Sequence, residues 1–575
     1  MSQPDPFDTG IQARTKLYAY LDHSELGSAE ALCQSLLETQ AGDPELLYLS
    51  GVVAHKSGRP DAAIQRFHQA ISRAPTLESR AAALIGLGKS YWMLEQLEQA
   101  RDAFEAAGKL QPEQVSLWVS LGAVHTSLGN PLAAQACFER ARILDPNEPD
   151  ALTGLGLCLM EFGRYAEARE SLDQVLQRFP AHAEAEQALG TLDRITGRFE
   201  DAEKRLFALL TQHPDRMGYG DLASIRIFET LDDPRLRLLE GRFQSLPQAE
   251  TPEVVRIDLL FALARAYDDL GRSEEAFRLL EEASRLKRRH FRFDVASEET
   301  RMQRIAGIFT HEFIERGRLD HDSASPRPIF IVGLPRSGST LLEHILSAHP
   351  DITATGELTI LPRLAIGLGA SWGQLPGFPD TLPEDRMRLD LQNLRLQYFR
   401  EIETLTGYRP AGIFTDKLLG NFLFIGIIRM AFPDARIVHM QRHPLDQALS
   451  AYRQLFTQGH AYTYDLDEFG RYYKAYRGLM TDWHKVAHEA IYDLTYESLV
   501  RNPESEIRKL LGFLGLPFVP ECLATQAIDR PVHTASAIQV RERINQEAIG
   551  RWQRYRTQLE PLREMLEQWI PAEPN

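Results

Sequence analysis

Pro328-Ile329-Phe330-Ile331-Val332-Gly333-Leu334-Pro335-Arg336-Ser337-Gly338-Ser339-Thr340 is the stretch on which the fold turns. Its first half is a short apolar run, suited to a strand buried on both faces of a parallel sheet. Gly333 and Gly338 then bound a tight turn, and Leu341, Leu342, Ile345 and Leu346 continue as a helix to Ala348, before His349-Pro350. Strand, glycine-bounded turn and helix together aim backbone N–H groups and a helix N-terminus at an anion. Just ahead, Asp320 to Arg327 is polar and contains proline, which suits an interdomain linker. Residues 327–575 are therefore expected to form an α/β, P-loop-like domain with a central parallel sheet.

The turn can be set against the phosphate-binding pattern G-x-x-x-x-G-K-[ST]. Gly333, Gly338 and Thr340 are in place, but Ser339 stands where that pattern has lysine. A nucleoside triphosphatase would lack the ammonium that reaches the terminal phosphates. Arg336 instead puts a fixed guanidinium inside the loop, able to grip two oxygens of one anion. That chemistry favours a phosphosulfate, whose terminal group carries less charge and needs no magnesium. Arg336, Ser337, Gly338, Ser339 and Thr340 are the candidate cradle, and no metal is expected.

A second anion site is readable further on. Ala435 to Arg442 reads as a strand ending in arginine; His443-Pro444 follows, with the proline acceptable in a helix first turn. Arg442 at the strand tip and Ser450 two turns into that helix can converge on one phosphate, and Arg453 lies near the same face. A nucleotide with a separate 3′-phosphate needs such a second site.

The first half of the chain is repetitive. Pro112, Pro146, Pro180 and Pro214 are spaced 34 residues apart, as are Gly88, Gly122, Gly156 and Gly190, and Ala100, Ala134, Ala168 and Ala202. Phe104, Phe138, Leu172 and Leu206 keep the same step. Within one unit, Leu117, Leu121 and Val124 share a face of the first helix, and Ala134, Cys137, Phe138 and Ala141 form the stripe of the second. Such a unit resembles the tetratricopeptide repeat. The array is expected over residues 24–290, after an N-terminal segment 1–23, with a degenerate stretch from Gly218 to Pro252 and a return near Ala264, Gly271, Ala276 and Phe277. A helical connector and linker, 291–326, would join it to the second domain. Solenoids of this kind present concave surfaces that hold peptides or partner helices, so a peptide or protein is the expected partner there.

At 575 residues the chain exceeds what one core can serve. Its formal net charge of −16 disfavours nucleic-acid binding. Four scattered cysteines give neither a zinc spacing nor a disulfide framework, which points to a reducing compartment. The N-terminus lacks a signal-peptide pattern. The most apolar run, Phe422 to Phe432, contains Arg429 and falls well short of the ~20 apolar residues a membrane span requires. A cytoplasmic protein without a membrane span is expected.

The pair Pro335 to Thr340 and Arg442…Ser450 resembles the 5′- and 3′-phosphate motifs of the sulfotransferase superfamily. The segment from about Pro328 to Leu562 is most similar to its tyrosylprotein sulfotransferase-like branch, which includes members with N-terminal tetratricopeptide repeats. The resemblance implies 3′-phosphoadenosine 5′-phosphosulfate as donor and adenosine 3′,5′-bisphosphate as product. Ser347 to Glu357 resembles the segment carrying that branch's catalytic glutamate, so Glu357 would deprotonate a hydroxyl acceptor; His349 is the rival base, with local packing as its alternative role. Lys417, after Thr415-Asp416, resembles the lysine that contacts the transferring group. Tyr496 resembles a cofactor-side tyrosine, a buried structural aromatic being its alternative. Thr534 to Trp552 resembles a loop that closes over the donor: Ser536 matches a serine that assists catalysis, and Arg551 stands where animal enzymes have lysine. Peptide tyrosine, a glycan, a small phenol or a lipid would all suit such a base. A second copy of the chain is kept open as a partner. The alternative to an enzyme is an inactive nucleotide-binding scaffold built on the repeats.

Overall fold

A computed structural model describes residues 6–23, 25–245, 251–322, 325–368, 378–379, 386–410, 412–456, 459–524 and 544–571. The chain divides into two compact units, Met1–Ala188 and Leu189–Asn575.

The first unit is built of helices that pack pairwise. Leu77–Met93 lies on Leu97–Leu110, Val115–Ser127 on Pro131–Leu144, and Pro149–Glu161 on Tyr165–Arg178. The 34-residue register has a steric cause. A Cβ added at Gly88 would come within 2.8 Å of the Phe104 ring, and one at Gly122 within 2.7 Å of Phe138. Each glycine of a first helix is thus the socket for the large side chain of its second. The turn between paired helices uses a left-handed residue: Gly58, Gly129 and Gly163 have φ near 70°, and Glu95 occupies the same place at φ 56°. Helical structure also begins before the expected array, with Pro6–Asp22, whose Leu17 and Leu21 are buried against Ala29 and Cys33.

The second unit opens with further repeat-like helices. The stretch expected to be degenerate contains the short helix Tyr219–Ser224 and then Pro234–Ser245. Its irregularity centres on Asp258, a buried carboxylate that accepts backbone N–H bonds from Gly218 (2.7 Å), Tyr219 (2.8 Å) and Gly220 (3.0 Å). The pair Glu253–Asp269 and Ser273–Arg288 resumes the pattern. The residues after it do not hang free as a spacer. Helix Val295–Ile308 packs on helix Leu466–Ala487, where Arg471 holds Glu299 through two bonds (3.0 and 2.6 Å) and Arg288 holds Glu468 likewise (2.6 and 2.7 Å).

The sheet consists of β1 (Arg327–Gly333), β2 (Ile352–Ala354), β3 (Ile413–Asp416), β4 (Arg436–Gln441) and β5 (Ile491–Thr495), all parallel, in the order β2-β3-β1-β4-β5. β1 is central, and its outward alternation feeds two cores. Ile329 and Ile331 pack with Leu342, Ile345 and Leu346 of the helix Ser339–Ser347, while Phe330 faces Tyr398 and Phe432. From β1 the chain runs to β2 and β3 on one side, then crosses to β4 on the other. The carboxyl ends of β1 and β4 therefore flank a topological switch point, where open parallel sheets bind ligands. Gly333 pairs with Met440 in register, so the loops after the two strands leave the sheet side by side. Among the described residues, no helix is long and apolar enough to cross a membrane.

Candidate active site

The loop after β1 is held in a conformation few sequences tolerate. Gly333 has φ 151°, and a Cβ there would lie 2.6 Å from the Met440 carbonyl oxygen. Arg336 sits at φ 66°, a left-handed conformation that is costly without glycine and persists only where surroundings enforce it. The enforcement comes from helix Pro444–Tyr452: Gln447 donates to the carbonyls of Leu334 and Pro335 (3.1 Å each), and Arg336 Nε donates to Ser450 Oγ (3.0 Å). Gly338, at φ 96°, lies against the Tyr496 ring and caps the helix that begins at Ser339.

Arg442, just past β4, donates to the Arg336 carbonyl (3.0 Å) and to that of Ala548 (2.6 Å), with its guanidinium 4.9 Å from the centre of the Tyr496 ring. The two arginines on which the sequence reading rests are therefore neighbours at one sheet edge. The C-terminal segment is drawn to the same place. Asp446, in the first turn of helix Pro444–Tyr452, accepts from the backbone N–H of Gly550 (2.6 Å) and Trp552 (3.0 Å), and Trp552 stacks on His443. Arg551 lies between those two anchored residues. Arg453 pairs with Asp268 of helix Glu253–Asp269.

The result is a concentration of buried positive charge. Burial, with Arg442, Arg265 and Arg453 adding repulsion, pulls the Arg336 guanidinium down to about 9. Burial likewise lowers Arg442, with Asp446 opposing it. Ser337 Oγ and Arg442 Nε are buried without a hydrogen-bond partner among the described residues. Buried polar atoms are almost always paired, and a repelling set of guanidiniums is costly unless an anion joins it. These residues fit a polyanionic nucleotide.

Beside this cradle lies an acid–base pair. Lys417, immediately after β3, is nearly enclosed, with a side chain 2% exposed, and donates from Nζ to Glu357 Oε1 at 2.6 Å. Glu357 is 52% exposed, so a second reactant can reach it. The loop that carries it is fixed from below: Glu343 accepts from the Gly356 N–H (2.9 Å) and from Thr415 Oγ1 (2.8 Å), and the Lys417 N–H donates to the Gly356 carbonyl (2.9 Å). Asp416 is buried at the end of β3, accepting from Tyr398 (2.7 Å), the Leu418 N–H (3.1 Å) and Asn421 (3.2 Å).

Among the candidates, Arg336, Ser337, Gly338, Ser339, Thr340, Arg442, Ser450, Tyr496, Arg453 and Arg551 gather around the loops after β1 and β4, and Glu357 with Lys417 after β2 and β3. Ser536 lies outside the described residues. His349 is buried, its Nε2 against the Pro517 carbonyl (3.0 Å) and its Nδ1 accepting from the Asp351 N–H (3.2 Å), a structural set of contacts. Sequence reasoning overlooked several residues near these loops. Glu343 reads as an ordinary helix glutamate, and Gln447 as a helix polar residue. His460, in the left-handed region at φ 55°, is lowered by burial but lies near enough to Glu357 for that carboxylate to oppose the shift. The Gly459-His460 turn was the available signal for it.

Residues 328–520 match the model of the Sulfotransferase family. Tetratricopeptide-repeat models match 54–123, 120–183, 159–222 and 257–290. The family match ends short of Leu562, where the sequence resemblance had been drawn. A relative from Aquifex aeolicus, itself described as uncharacterized, is 32% identical over 342 residues, 58% of this chain and 44% of that protein. Protein-tyrosine sulfotransferase 1 of Danio rerio is 26% identical over 250 residues, 39% of this chain and 65% of that protein. The protein-tyrosine sulfotransferase of Drosophila melanogaster is 28% identical over 243 residues, 39% and 46% of the two chains. The chain spans less than two thirds of the length of each of these relatives.

Proposed function

We propose, on the premise that this chain joins tetratricopeptide repeats to a domain of the sulfotransferase family, that it transfers a sulfuryl group from 3′-phosphoadenosine 5′-phosphosulfate to a hydroxyl of a peptide or protein. The observation that carries this reading is the adjacency of Arg336 and Arg442, joined by a 3.0 Å hydrogen bond at the switch point between β1 and β4. One phosphorylated end of the nucleotide would sit on Arg336, Ser337, Gly338, Ser339 and Thr340. The 3′-phosphate would sit on Arg442 and Ser450, with Arg453, Tyr496 and Arg551 around it. The donor supplies an electrophilic sulfur whose leaving atom is a phosphate oxygen.

Glu357 takes the proton of the acceptor hydroxyl as its oxygen bonds to sulfur. Lys417 and Arg336 place positive charge where negative charge accumulates on the departing oxygen. Ser536 is kept as an assisting residue. No metal enters the reading. Alignment and fixed charge carry the rate, as in phosphoryl transfer. A peptide acceptor, with tyrosine as the first candidate, accords with the tetratricopeptide repeats and with the names of the Danio and Drosophila relatives. All four cysteines are buried free thiols, which suits a reducing compartment, and the cytoplasm is the proposed location.

The test is a thermal-shift comparison of adenosine 3′,5′-bisphosphate with ADP and ATP, paired with turnover of the Glu357→Gln variant. At a hundredfold excess over Kd the bisphosphate should add about 2.7 kcal/mol to stability, while ADP and ATP do little. Glu357→Gln should lose about 10²-fold or more in turnover and keep its affinity for the bisphosphate. Equal stabilisation by all three nucleotides would overturn the donor assignment; unchanged turnover would overturn the base.

A further inference from the structure

Helix Glu253–Asp269 belongs to the repeat-like part of the second unit, yet one of its faces is turned to the sulfotransferase domain. Phe261 meets the Tyr464 ring edge-on at 6.2 Å. Two turns later Asp268 accepts from the Tyr555 hydroxyl and pairs with Arg453. Arg265 falls between them, four residues after Phe261 and three before Asp268, and so lies on that same face.

Asp269 and, more weakly, Asp268 oppose its charge, yet its hydrogen-bonding is incomplete. Arg265 Nε is buried without a hydrogen-bond partner. Asp268 is engaged by Arg453 and Tyr555, and Asp269 accepts from the Phe228 N–H at 3.3 Å. Arg453 and Arg551 act on it against those two carboxylates, and Arg265 in turn acts on Arg336. A buried guanidinium N–H with no acceptor is costly to the fold. Its placement becomes favourable once an anion arrives.

We infer that Arg265 is a donor-binding residue supplied by the repeat region, and that it bonds the 3′-phosphate held between Arg442, Ser450 and Arg453. This rests on the donor assignment made above. It extends the nucleotide site to the N-terminal side of residues 328–520, to which the family match is confined. It also gives the last repeat a task in catalysis distinct from holding a partner.

Calorimetric titration of the full chain with adenosine 3′,5′-bisphosphate and with adenosine 5′-monophosphate, which lacks the 3′-phosphate, tests it. Arg265→Gln should weaken bisphosphate binding about 10-fold or more, the scale of a charge-assisted bond, and leave monophosphate binding within about twofold. Arg265→Lys should recover most of the loss. Equal weakening for both nucleotides, or no weakening, overturns the inference while leaving the donor assignment standing. If wild type itself fails to prefer the bisphosphate, the donor assignment falls and the inference with it.

Discussion

Asp416 shows how one side chain can be tuned for position rather than charge. It ends β3 directly before Lys417, and burial drives its carboxyl up from 3.8 to about 7, against the pull of its three hydrogen-bond donors. A raised carboxyl means that the folded chain retains a proton that the unfolded chain has released. Across roughly pH 4 to 7 this group therefore favours folding at the acidic end and loses that contribution as pH rises. Asp416→Asn should keep the acceptor for Tyr398 and remove the proton. The stability of wild type minus that of Asp416→Asn should fall as pH rises through this window and level off above it. One pKa unit is 1.36 kcal/mol, so the ceiling is about 4 kcal/mol. Urea midpoints of the two proteins at pH 4.5, 6 and 8 measure it; a flat difference would show that the carboxyl titrates normally. The benefit of the arrangement is placement: the residue that follows, Lys417, is presented to Glu357 from a fixed strand end.

At the scale of elements, the repeats are decided by volume. Gly88 and Gly122 exist to admit Phe104 and Phe138, and Gly156 admits Leu172, whose branch carbon a Cβ would approach to 2.8 Å. Adding one methyl at Gly122 forces the Phe138 ring or a helix to move, and overpacking of this kind costs about 1–3 kcal/mol. Gly122→Ala should lower the chemical-denaturation midpoint of the array accordingly, whereas Gly42→Ala, with open space around its Cβ, should not. Equal effects would mean that the register reflects something other than this socket. Such features are local, which is why the array was legible from its 34-residue step, and why β1, β4 and their arginines were legible from an apolar run ending at a cation. Strand order was not. Nothing near Gly333 states that β4, rather than β2, lies beside the Arg336 loop on the side that matters; this emerges only when the crossing connection is built. Glu343, Gln447 and Arg265 escaped notice for a related reason. Each reads as the polar face of an amphipathic helix, and only tertiary packing turns that face inward.

At the scale of the molecule, the seam between helix Glu253–Asp269 and the sheet-bearing part of the second unit is held by charge as much as by rings. Phe277 of the next helix, Ser273–Arg288, packs against Tyr452 and Tyr555 at 5.8 and 5.7 Å, and Asp268 joins Arg453 and Tyr555 beside them. Asp268 is 3% exposed, near the C-terminus of its helix, where a negative charge is unfavourable to the helix dipole. It is retained there because Arg453 answers it, and Arg453 in turn acts on the Arg336 guanidinium. Asp268→Asn should leave Arg453 buried and unpaired, and removing one partner of a buried pair costs about 3–5 kcal/mol; the residual exposure of Arg453, 17%, places the expectation at the lower end. Arg453→Met should be destabilising for the mirror reason. Combined, the two substitutions should cost less than their sum by 1 kcal/mol or more, the signature of side chains in direct contact. The same cycle read by affinity for adenosine 3′,5′-bisphosphate should show Asp268→Asn weakening the ligand only while Arg453 is present. Strict additivity in both readouts would mean that the last repeat merely abuts the sheet-bearing part of the second unit, and that Arg453 takes its position from helix Pro444–Tyr452 alone.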